Sequence, residues 1–325
     1  MDRHPLNPIL TRNDIPDIPP AIVDPTSLFN PGAVKVGNRY QLLVRVQNRG
    51  RETFILPADS SDGVKFTIRN TFMNLPGLDD LEEKVYHVYD PRITQLEDSI
   101  FVMVAMDMGQ GCRLGLIRTD DFVDYEFMGV VSQNEVRNGV LFPEKIGGRY
   151  LRLDRPNQVS YDGGVTSGSE IVLSESDDLL HWQVVKPVMS GRLHYWDELI
   201  GSGPPPVKTR QGWLHLYHGI ARHLESVFIY QVGVVLLDLD DPGIVLRRGR
   251  YNILEPRELY ELTGQVPNVV FPGGMIVEEM DADGFALMES EVKIYYGAAD
   301  TVIGLATTTI ARLLAACHDP GEENR

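Results

Sequence analysis

Asp90 is the residue whose type and position are best suited to chemistry. It directly precedes Pro91, and the proline ring stiffens the backbone around it, which suits a carboxylate that must keep one orientation while it exchanges a proton with a ligand. An aspartate before a proline also forms an Asx turn, in which the carboxylate only bonds nearby backbone amides. Spacing alone favours the turn.

Asn30, Glu144 and Lys145 also lie beside prolines, and Arg45, Arg49 and Arg51 form a separate charge run. A charge run such as that of the three arginines is usually a solvated strand edge. The formal net charge of -16 argues against a nucleic-acid partner, which needs a basic surface, whereas an anion needs only a local basic pocket.

Several familiar catalytic motifs are absent from the sequence. It contains no G-x-x-x-x-G-K-[ST] phosphate loop, no G-x-S-x-G nucleophile elbow and no H-E-x-x-H zinc motif. His215 and His218 lie three positions apart on a predicted strand, so their side chains point to opposite faces and cannot share one ion. We therefore expect neither a metal nor another cofactor.

The elements that must position Asp90 repeat along the chain. Each repeat begins with an aromatic residue or a glycine and has a proline within a few residues. A turn and an apolar, strand-like run follow. The marking prolines are Pro31, Pro91, Pro143, Pro205 and Pro272, with spacings of 60, 52, 62 and 67 residues. Such a period is near that of propeller blades, so the sequence predicts an all-β, five-bladed β-propeller. An ordinary β-sandwich with scattered prolines does not explain five aligned copies.

The five units fill the chain and predict a single domain over residues 1–325. Residues 1–28 are predicted to be an extended N-terminal segment, whose proline-rich part, residues 13–25, lies over the surface or closes the ring. Residues 318–325 read as a disordered polar tail. Without an apolar run of about 18 residues or a signal-like N-terminus, we expect no membrane partner and a cytoplasmic location. Cys112 and Cys317 are too few for a disulfide framework.

Seven strings keep a fixed order between residues 29 and 310. They are Tyr89-Asp90-Pro91-Arg92, Leu141-Phe142-Pro143-Glu144-Lys145, Arg155-Pro156, Gly201-Ser202-Gly203-Pro204-Pro205-Pro206-Val207-Lys208-Thr209, Leu216-Tyr217-His218-Gly219, Val266-Pro267-Asn268-Val269-Val270-Phe271-Pro272 and Tyr296-Gly297-Ala298-Ala299-Asp300-Thr301-Val302-Ile303-Gly304-Leu305-Ala306. Together they resemble glycoside hydrolase family 130, the β-mannoside phosphorylases. That family has a five-bladed β-propeller fold, in agreement with the repeat count.

The resemblance implies an inverting phosphorolysis of short, mannose-containing oligosaccharides. Inorganic phosphate is the co-substrate and attacks the anomeric carbon of a terminal β-linked mannose to release α-mannose 1-phosphate. Phosphate is already a nucleophile, so one acidic carboxylate suffices where a hydrolase needs two. In the family this acid is the aspartate of the D-P-R string, here Asp90, which delivers its proton through a sugar hydroxyl. That role calls for burial or a nearby negative charge to raise its pKa.

The resemblance also assigns binding residues. It implies that phosphate is bound by Arg137, Arg155, His218 and Tyr230. It implies that the sugar is bound by Asn30, Arg45, Arg51, Lys145 and Asp300. Structural alternatives stay open: Arg155 pairing with Asp154, His218 as a satisfied strand histidine, and Asp300 as a turn cap.

Two departures from the family pattern are expected to matter. Asp154 replaces a histidine found before the Arg-Pro pair in many relatives and would add negative charge near phosphate. The Gly/Ser-rich residues 158–169 would line the acceptor side.

Two other functions remain open at this point. One is an inverting β-mannosidase that activates water with Glu144, Glu170 or Glu198, and the other is a sugar-binding propeller without catalysis. Members of the family are often oligomeric, so a homo-oligomer is expected, of a size that the sequence does not fix.

Overall fold

The computed structural model describes residues 1–109, 111–157, 159–160, 166–222 and 228–317. Its strands form five antiparallel sheets arranged as the blades of a ring, with the first strand of each sheet innermost, which confirms the predicted five-bladed propeller. A short pair, Val159–Ser160 with Thr166–Ser167, lies outside the blades.

The blades follow one another along the chain. Blade 1 contains Ser27–Val36, Arg39–Gln47, Thr53–Ser60 and Thr67–Ile68. Blade 2 contains His87–Leu96, Ser99–Asp107, Cys112–Thr119 and Glu126–Val130. Blade 3 contains Val136–Leu141, Tyr150–Pro156, Glu170–Ser176 and Gln183–Ser190. Blade 4 contains Leu199–Ser202, Val207–Thr209, Gly212–Arg222, Phe228–Leu237 and Val245–Arg248. Blade 5 contains Val270–Val277, Glu291–Ala298, Val302–Thr309 and, from the N-terminus, Asp2–Arg3.

Helices are few and short in the described residues. Leu259–Leu262 and Ile310–Ala315 are α-helical, and Arg12–Asp14 and Leu78–Asp80 are 3-10 turns. None of these helices is long and apolar enough to cross a lipid bilayer.

The middle strands of the blades are apolar on both faces. In Ser99–Asp107, for example, every residue from Ile100 to Met106 is buried. Blades pack face to face around the ring, so both faces of a middle strand are removed from water, and the strand is a continuous apolar run rather than an alternating one. The hydrophobic core is accordingly divided into clusters between neighbouring blades.

The innermost strands of blades 1, 2 and 3 each contain a β-bulge near the end where the strand begins. Asn30, Asp90 and Asn138 occupy equivalent bulge positions with φ of 46°, 52° and 54°. Positive φ is unfavourable for residues that carry a Cβ, and a bulge redirects the side chain from the sheet face. The bulges are therefore the local feature that aims these three side chains.

The register of the sequence repeat needs one correction. Pro31, Pro91 and Pro272 lie within innermost strands, but Pro143 and Pro205 lie beyond the strands that end at Leu141 and Ser202. The bulge in blade 3 is made by Asn138 and Gly139, with glycine in the place of proline. The blade count was right although two of its five markers were out of register.

The ring is closed by the first residues of the chain. Asp2–Arg3 pairs with Val302–Thr309 as the outer strand of blade 5, and Leu10 forms a further bridge to Ile303. Residues 13–25 do not simply lie over the surface, because Ile22 is fully buried in the core between blades 5 and 1. The predicted tail, residues 318–325, lies outside the described residues.

A buried ion pair fastens the closing strand. Arg3 donates to both carboxylate oxygens of Glu261, at 2.8 and 2.7 Å, and the Glu261 side chain is inaccessible to solvent. The hydroxyl of Tyr296 also donates to Glu261 at 2.8 Å. Because Glu261 belongs to Leu259–Leu262, this pair joins the N-terminal strand to the segment that enters blade 5.

We predict that Arg3→Ala lowers the free energy of unfolding by about 3 kcal/mol, because it leaves a buried carboxylate without its cation. The matched control is Arg312→Ala, which removes a pair with Asp2 at 2.6 Å on the same strand, with both side chains exposed. An exposed pair contributes less than about 1 kcal/mol. Equilibrium denaturation in urea measures both variants, and equal losses would contradict a special role for Arg3.

Candidate active site

A cavity of about 730 Å³ opens at the ends where the innermost strands begin. Eight of the residues that the sequence assigns to catalysis or binding line it: Asn30, Arg45, Arg51, Asp90, Arg137, Arg155, Tyr230 and Asp300. His218 lies directly beneath, with its imidazole against Arg155. The ring thus brings together groups from all five blades that lie far apart in sequence.

Asp90 is held by blade 1 across the gap between two blades. Its Oδ1 accepts a hydrogen bond from Asn30 Nδ2 at 3.0 Å and one from Arg45 Nη1, also at 3.0 Å. Both bonds end on Oδ1, which leaves Oδ2 to the cavity that Asp90 lines. The Asx-turn alternative is wrong, because the partners of Asp90 are side chains from another blade and not neighbouring amides.

Arg45 is itself held between two aromatic rings. Its guanidinium carbon lies 4.5 Å from the ring centre of Phe29 and 4.7 Å from that of Tyr89. Cation–π contacts on both sides fix the plane of the fork that contacts Asp90. Sequence reasoning missed this use of Phe29 and Tyr89, although the aromatic lead of each repeat unit was the available signal.

Arg137 and Arg155 form the basic part of the cavity. They are direct cross-strand partners in blade 3, so their side chains leave the same face, with Cβ atoms about 5 Å apart. Like charges placed opposite each other are destabilising in a sheet. An anion between the two guanidinium groups would remove this repulsion, and each planar fork suits two oxygens of a phosphate.

Arg155 and His218 form a buried pair at the base of this basic part. Arg155 Nη1 lies 3.4 Å from His218 Nε2, and Arg155 Nε donates to Asn157 Oδ1 at 3.2 Å. Burial lowers the pKa of Arg155 to about 10, so it stays charged at neutral pH. Burial and the Arg155 charge hold the pKa of His218 well below its usual range, so the imidazole is neutral.

Aromatic rings pack the neutral imidazole of His218 in place. The ring of Phe271 lies 4.6 Å from it and that of Tyr230 lies 6.0 Å from it, measured between centres. The Tyr230 backbone donates to Asn268 O at 3.0 Å, which ties blade 4 to the segment entering blade 5.

Arg155 does not pair with Asp154, the alternative that the sequence left open, because its guanidinium contacts Asn157 and His218 instead.

Asp154 points away from the cavity, contrary to the expected charge near phosphate. It is buried and forms an ion pair with Arg152 at 2.6 Å, and Ser174 Oγ donates to it at 2.7 Å. Consecutive strand residues face opposite sides, so Asp154 lies on the other face of the strand from Arg155. Its charge is neutralised there.

Asp300 lines the cavity on the blade 5 side, in a left-handed backbone conformation with φ of 48°. Burial raises the pKa of Asp300 to about 6, with Arg45 opposing the shift and Asp90 adding to it. A carboxyl group that titrates near pH 6 can both accept and donate hydrogen bonds to hydroxyl groups under physiological conditions.

Arg51 and Lys145 differ in their placement. Arg51 is an exposed residue on the cavity wall. Lys145 is not brought to the cavity: it follows the far end of Val136–Leu141, 3.7 Å from Glu97 and over the ring of Tyr150. A strand rises about 3.3 Å per residue, so that end lies more than 10 Å from Arg137.

The glutamates considered for a hydrolase do not line the cavity. Glu144 bonds Lys208 at 2.6 Å, Glu170 contacts Ser190 at 3.5 Å and Glu198 pairs with Arg222 at 3.5 Å. The carboxylates that line it are Asp90, Asp107 and Asp300. Within the described ranges no group of three or more His, Cys, Asp or Glu side chains could hold a metal ion. Of the expected acceptor loop, residues 158–169, residues 158 and 161–165 lie outside the described residues.

The fold and the cavity define a class of five-bladed propeller in which one oriented carboxylate and a pair of arginines line the same cavity. The family model of glycoside hydrolase family 130, described as beta-1,4-mannooligosaccharide phosphorylase, matches residues 2–319. The chain belongs to this family.

Named relatives and solved structures agree with the family. The chain is 32% identical over 315 residues to a beta-1,4-mannooligosaccharide phosphorylase of Ruminococcus albus, covering 95% of this chain and 88% of the relative. It is 31% identical to a 1,2-beta-oligomannan phosphorylase of Thermoanaerobacter, covering 86% and 89%. A beta-1,2-mannobiose phosphorylase of Listeria innocua, solved with beta-1,2-mannobiose, superposes with a TM-score of 0.82 at 27% identity, covering 97% of this chain and 98% of that one.

We predict that Asp300→Asn becomes more stable relative to the wild type as pH rises from about 4 to about 6. The unfolded chain releases this proton near pH 4 and the folded protein near pH 6, so the wild type loses stability in that window as pH rises. The difference should reach at most about 3 kcal/mol. Urea denaturation at pH 4.5, 6 and 7.5 measures it. Asp24→Asn, at an exposed position, is the control, and a parallel pH profile for the two variants would refute the assignment.

Proposed function

We propose that the chain catalyses the phosphorolysis of β-mannosides. Inorganic phosphate attacks the anomeric carbon of a terminal β-linked mannose, the glycosidic bond breaks, and α-mannose 1-phosphate leaves with the shortened acceptor. The observation that carries the proposal is the cross-strand pair of Arg137 and Arg155 in the cavity that Asp90 lines, because it provides an anion site beside a carboxylic acid.

Phosphate binds between Arg137 and Arg155, each of which offers a planar fork to its oxygens. His218 and Tyr230 complete this part of the site. A neutral imidazole beside a guanidinium adds a hydrogen-bonding group without a further charge, so phosphate is held firmly and can still leave as part of the product.

Asp90 supplies the proton that the departing oxygen needs. Asn30 and Arg45 hold its Oδ1 on the side away from the substrate, and the proton passes from the Oδ2 side to the glycosidic oxygen through a sugar hydroxyl. As the phosphate oxygen bonds to the anomeric carbon from one face, the acceptor oxygen leaves from the other and takes the proton. The configuration inverts and no base is required.

A β-mannosidase is not favoured. Inversion by water requires a second carboxylate placed about 6.5–9.5 Å from the acid, with the water between them. Glu144, Glu170 and Glu198 are engaged elsewhere. Asp107 and Asp300 line the cavity with Asp90, but the same cavity also holds two arginines, which suit an anionic nucleophile better than water. A sugar-binding propeller without catalysis would have no use for that arginine pair.

Product analysis tests this function. With β-1,4- and β-1,2-mannobiose as probes, we predict that mannose 1-phosphate forms only when inorganic phosphate is present. Asp90→Asn should lower kcat by about 10²–10⁴-fold, the usual contribution of a general acid, and leave mannoside binding measurable by calorimetry. Free mannose formed at the same rate with and without phosphate would refute phosphorolysis and indicate hydrolysis. Binding without turnover in the wild type would indicate a sugar-binding protein.

The phosphate site has its own test. We predict that Arg137→Gln raises the KM for phosphate by about 10–100-fold, because one charge-assisted contact is lost, while the KM for the mannoside changes less than about threefold. Lys145→Ala is the matched control, a cation removed from outside the cavity, and should leave both constants unchanged. If Arg137→Gln raises the two KM values equally, the residue acts on the cavity as a whole and not on phosphate.

A further inference from the structure

Arg92 is a buried cation on the propeller axis that the proposed reaction does not use. It follows Pro91 on the innermost strand of blade 2, has a relative exposure of 1% and does not line the catalytic cavity. Burial lowers the pKa of Arg92 to about 10, so the guanidinium remains charged at neutral pH. A buried charge is strongly unfavourable unless an opposite charge and hydrogen bonds compensate it.

The contacts of Arg92 compensate only part of that cost. Nη1 donates a long hydrogen bond of 3.5 Å to Gly273 O, and the ring centre of Phe271 lies 5.1 Å from the guanidinium carbon. Nε and Nη2 have no hydrogen-bond partner among the described residues, and no carboxylate there lies within 4.0 Å. Asp90, two positions earlier, is already bonded to Asn30 and Arg45.

Two histidine rings near this guanidinium do not supply a counter-charge. Burial and the Arg92 charge lower the pKa of both His215 and His218, so both imidazoles are neutral. The His215 ring bonds the Pro204 backbone, so its one N–H is already used. His218 and Arg92 also pack against the same ring, Phe271. The described residues therefore leave the Arg92 charge and its two free donors without an acceptor.

We propose that a small monovalent anion of the halide class binds beside Arg92 on the propeller axis. The anion neutralises Arg92 and accepts hydrogen bonds from its Nε and Nη2.

The chemistry of the site selects this ligand class. A cation is excluded by the guanidinium charge, and a water molecule could accept the hydrogen bonds but could not balance the charge. A phosphate or sulfate dianion would bring an excess negative charge to a place where the described residues provide one cation in contact. It would also need room that the Phe271 ring and the Gly273 backbone take up.

The first test is thermal unfolding of the full chain at constant ionic strength, with sodium gluconate replaced stepwise by sodium chloride or bromide. We expect a saturating rise in Tm of about 1–3 °C with either halide, because a ligand that binds only the folded state stabilises it. Arg92→Met should abolish the rise, and Arg210→Met, at an exposed arginine, should retain it. A Tm that does not distinguish halide from gluconate would overturn the proposal.

Two further measurements separate this site from the catalytic cavity. Saturating inorganic phosphate should leave the halide effect intact, and its loss would mean that the halide occupies the phosphate site. In crystals grown with sodium bromide, we expect an anomalous peak within about 3.5 Å of the Arg92 guanidinium. A peak only beside Arg137, or no peak, contradicts the proposal, and this readout decides the question even if Arg92→Met does not fold. The outcome does not depend on whether the chain is a phosphorylase.

Discussion

Closure of the ring is the constraint on which the remainder of the structure depends. Blades 5 and 1 share an apolar core, and the closure is completed where Asp2–Arg3 pairs with Val302–Thr309 and Arg3 bonds buried Glu261. Closure fixes the distances between the innermost strands, and every contact across the cavity crosses from one blade to another. The bond from Arg45 to Asp90 spans blades 1 and 2, and the contact of Arg155 with His218 spans blades 3 and 4.

The closed ring also sustains the unfavourable backbone at the cavity. Asn30, Asp90 and Asn138 adopt positive φ at equivalent bulges, and such conformations cost about 1–3 kcal/mol each. Packing between blades holds these positions in place and offsets the conformational cost with contacts from the whole sheet assembly. In return, each bulge turns a polar side chain towards the axis, where an unbulged strand would direct it into the apolar space between blades.

The sequence was sufficient for features that depend on local pattern. Apolar strand-forming runs recur once per blade, so the blade count follows from the periodicity, and Asp90 and Asn30 were identifiable beside prolines. The sequence was insufficient for features that depend on the register between paired strands. The pairing of Arg137 with Arg155 depends on a bulge at Asn138 and Gly139, and spacing along the chain does not reveal that bulge. Lys145 was misplaced because its motif follows the strand end opposite the cavity. Ring closure by residues 2–3 required knowledge of the other edge of blade 5.

The proposed preference for phosphate over water as the nucleophile has an electrostatic basis. The formal net charge of -16 acts from the surface and is screened over about 8–10 Å, whereas Arg137 and Arg155 act at contact distance within the cavity. Their mutual repulsion, reduced by Glu135 at 3.8 Å from Arg137, is part of the free energy of the folded protein and is fixed by the register of one hairpin. A dianion between them relieves that repulsion on binding, and a water molecule, which has no charge, does not. In the proposed reaction, the register of blade 3 would therefore favour phosphate over water before any contact with the sugar is made.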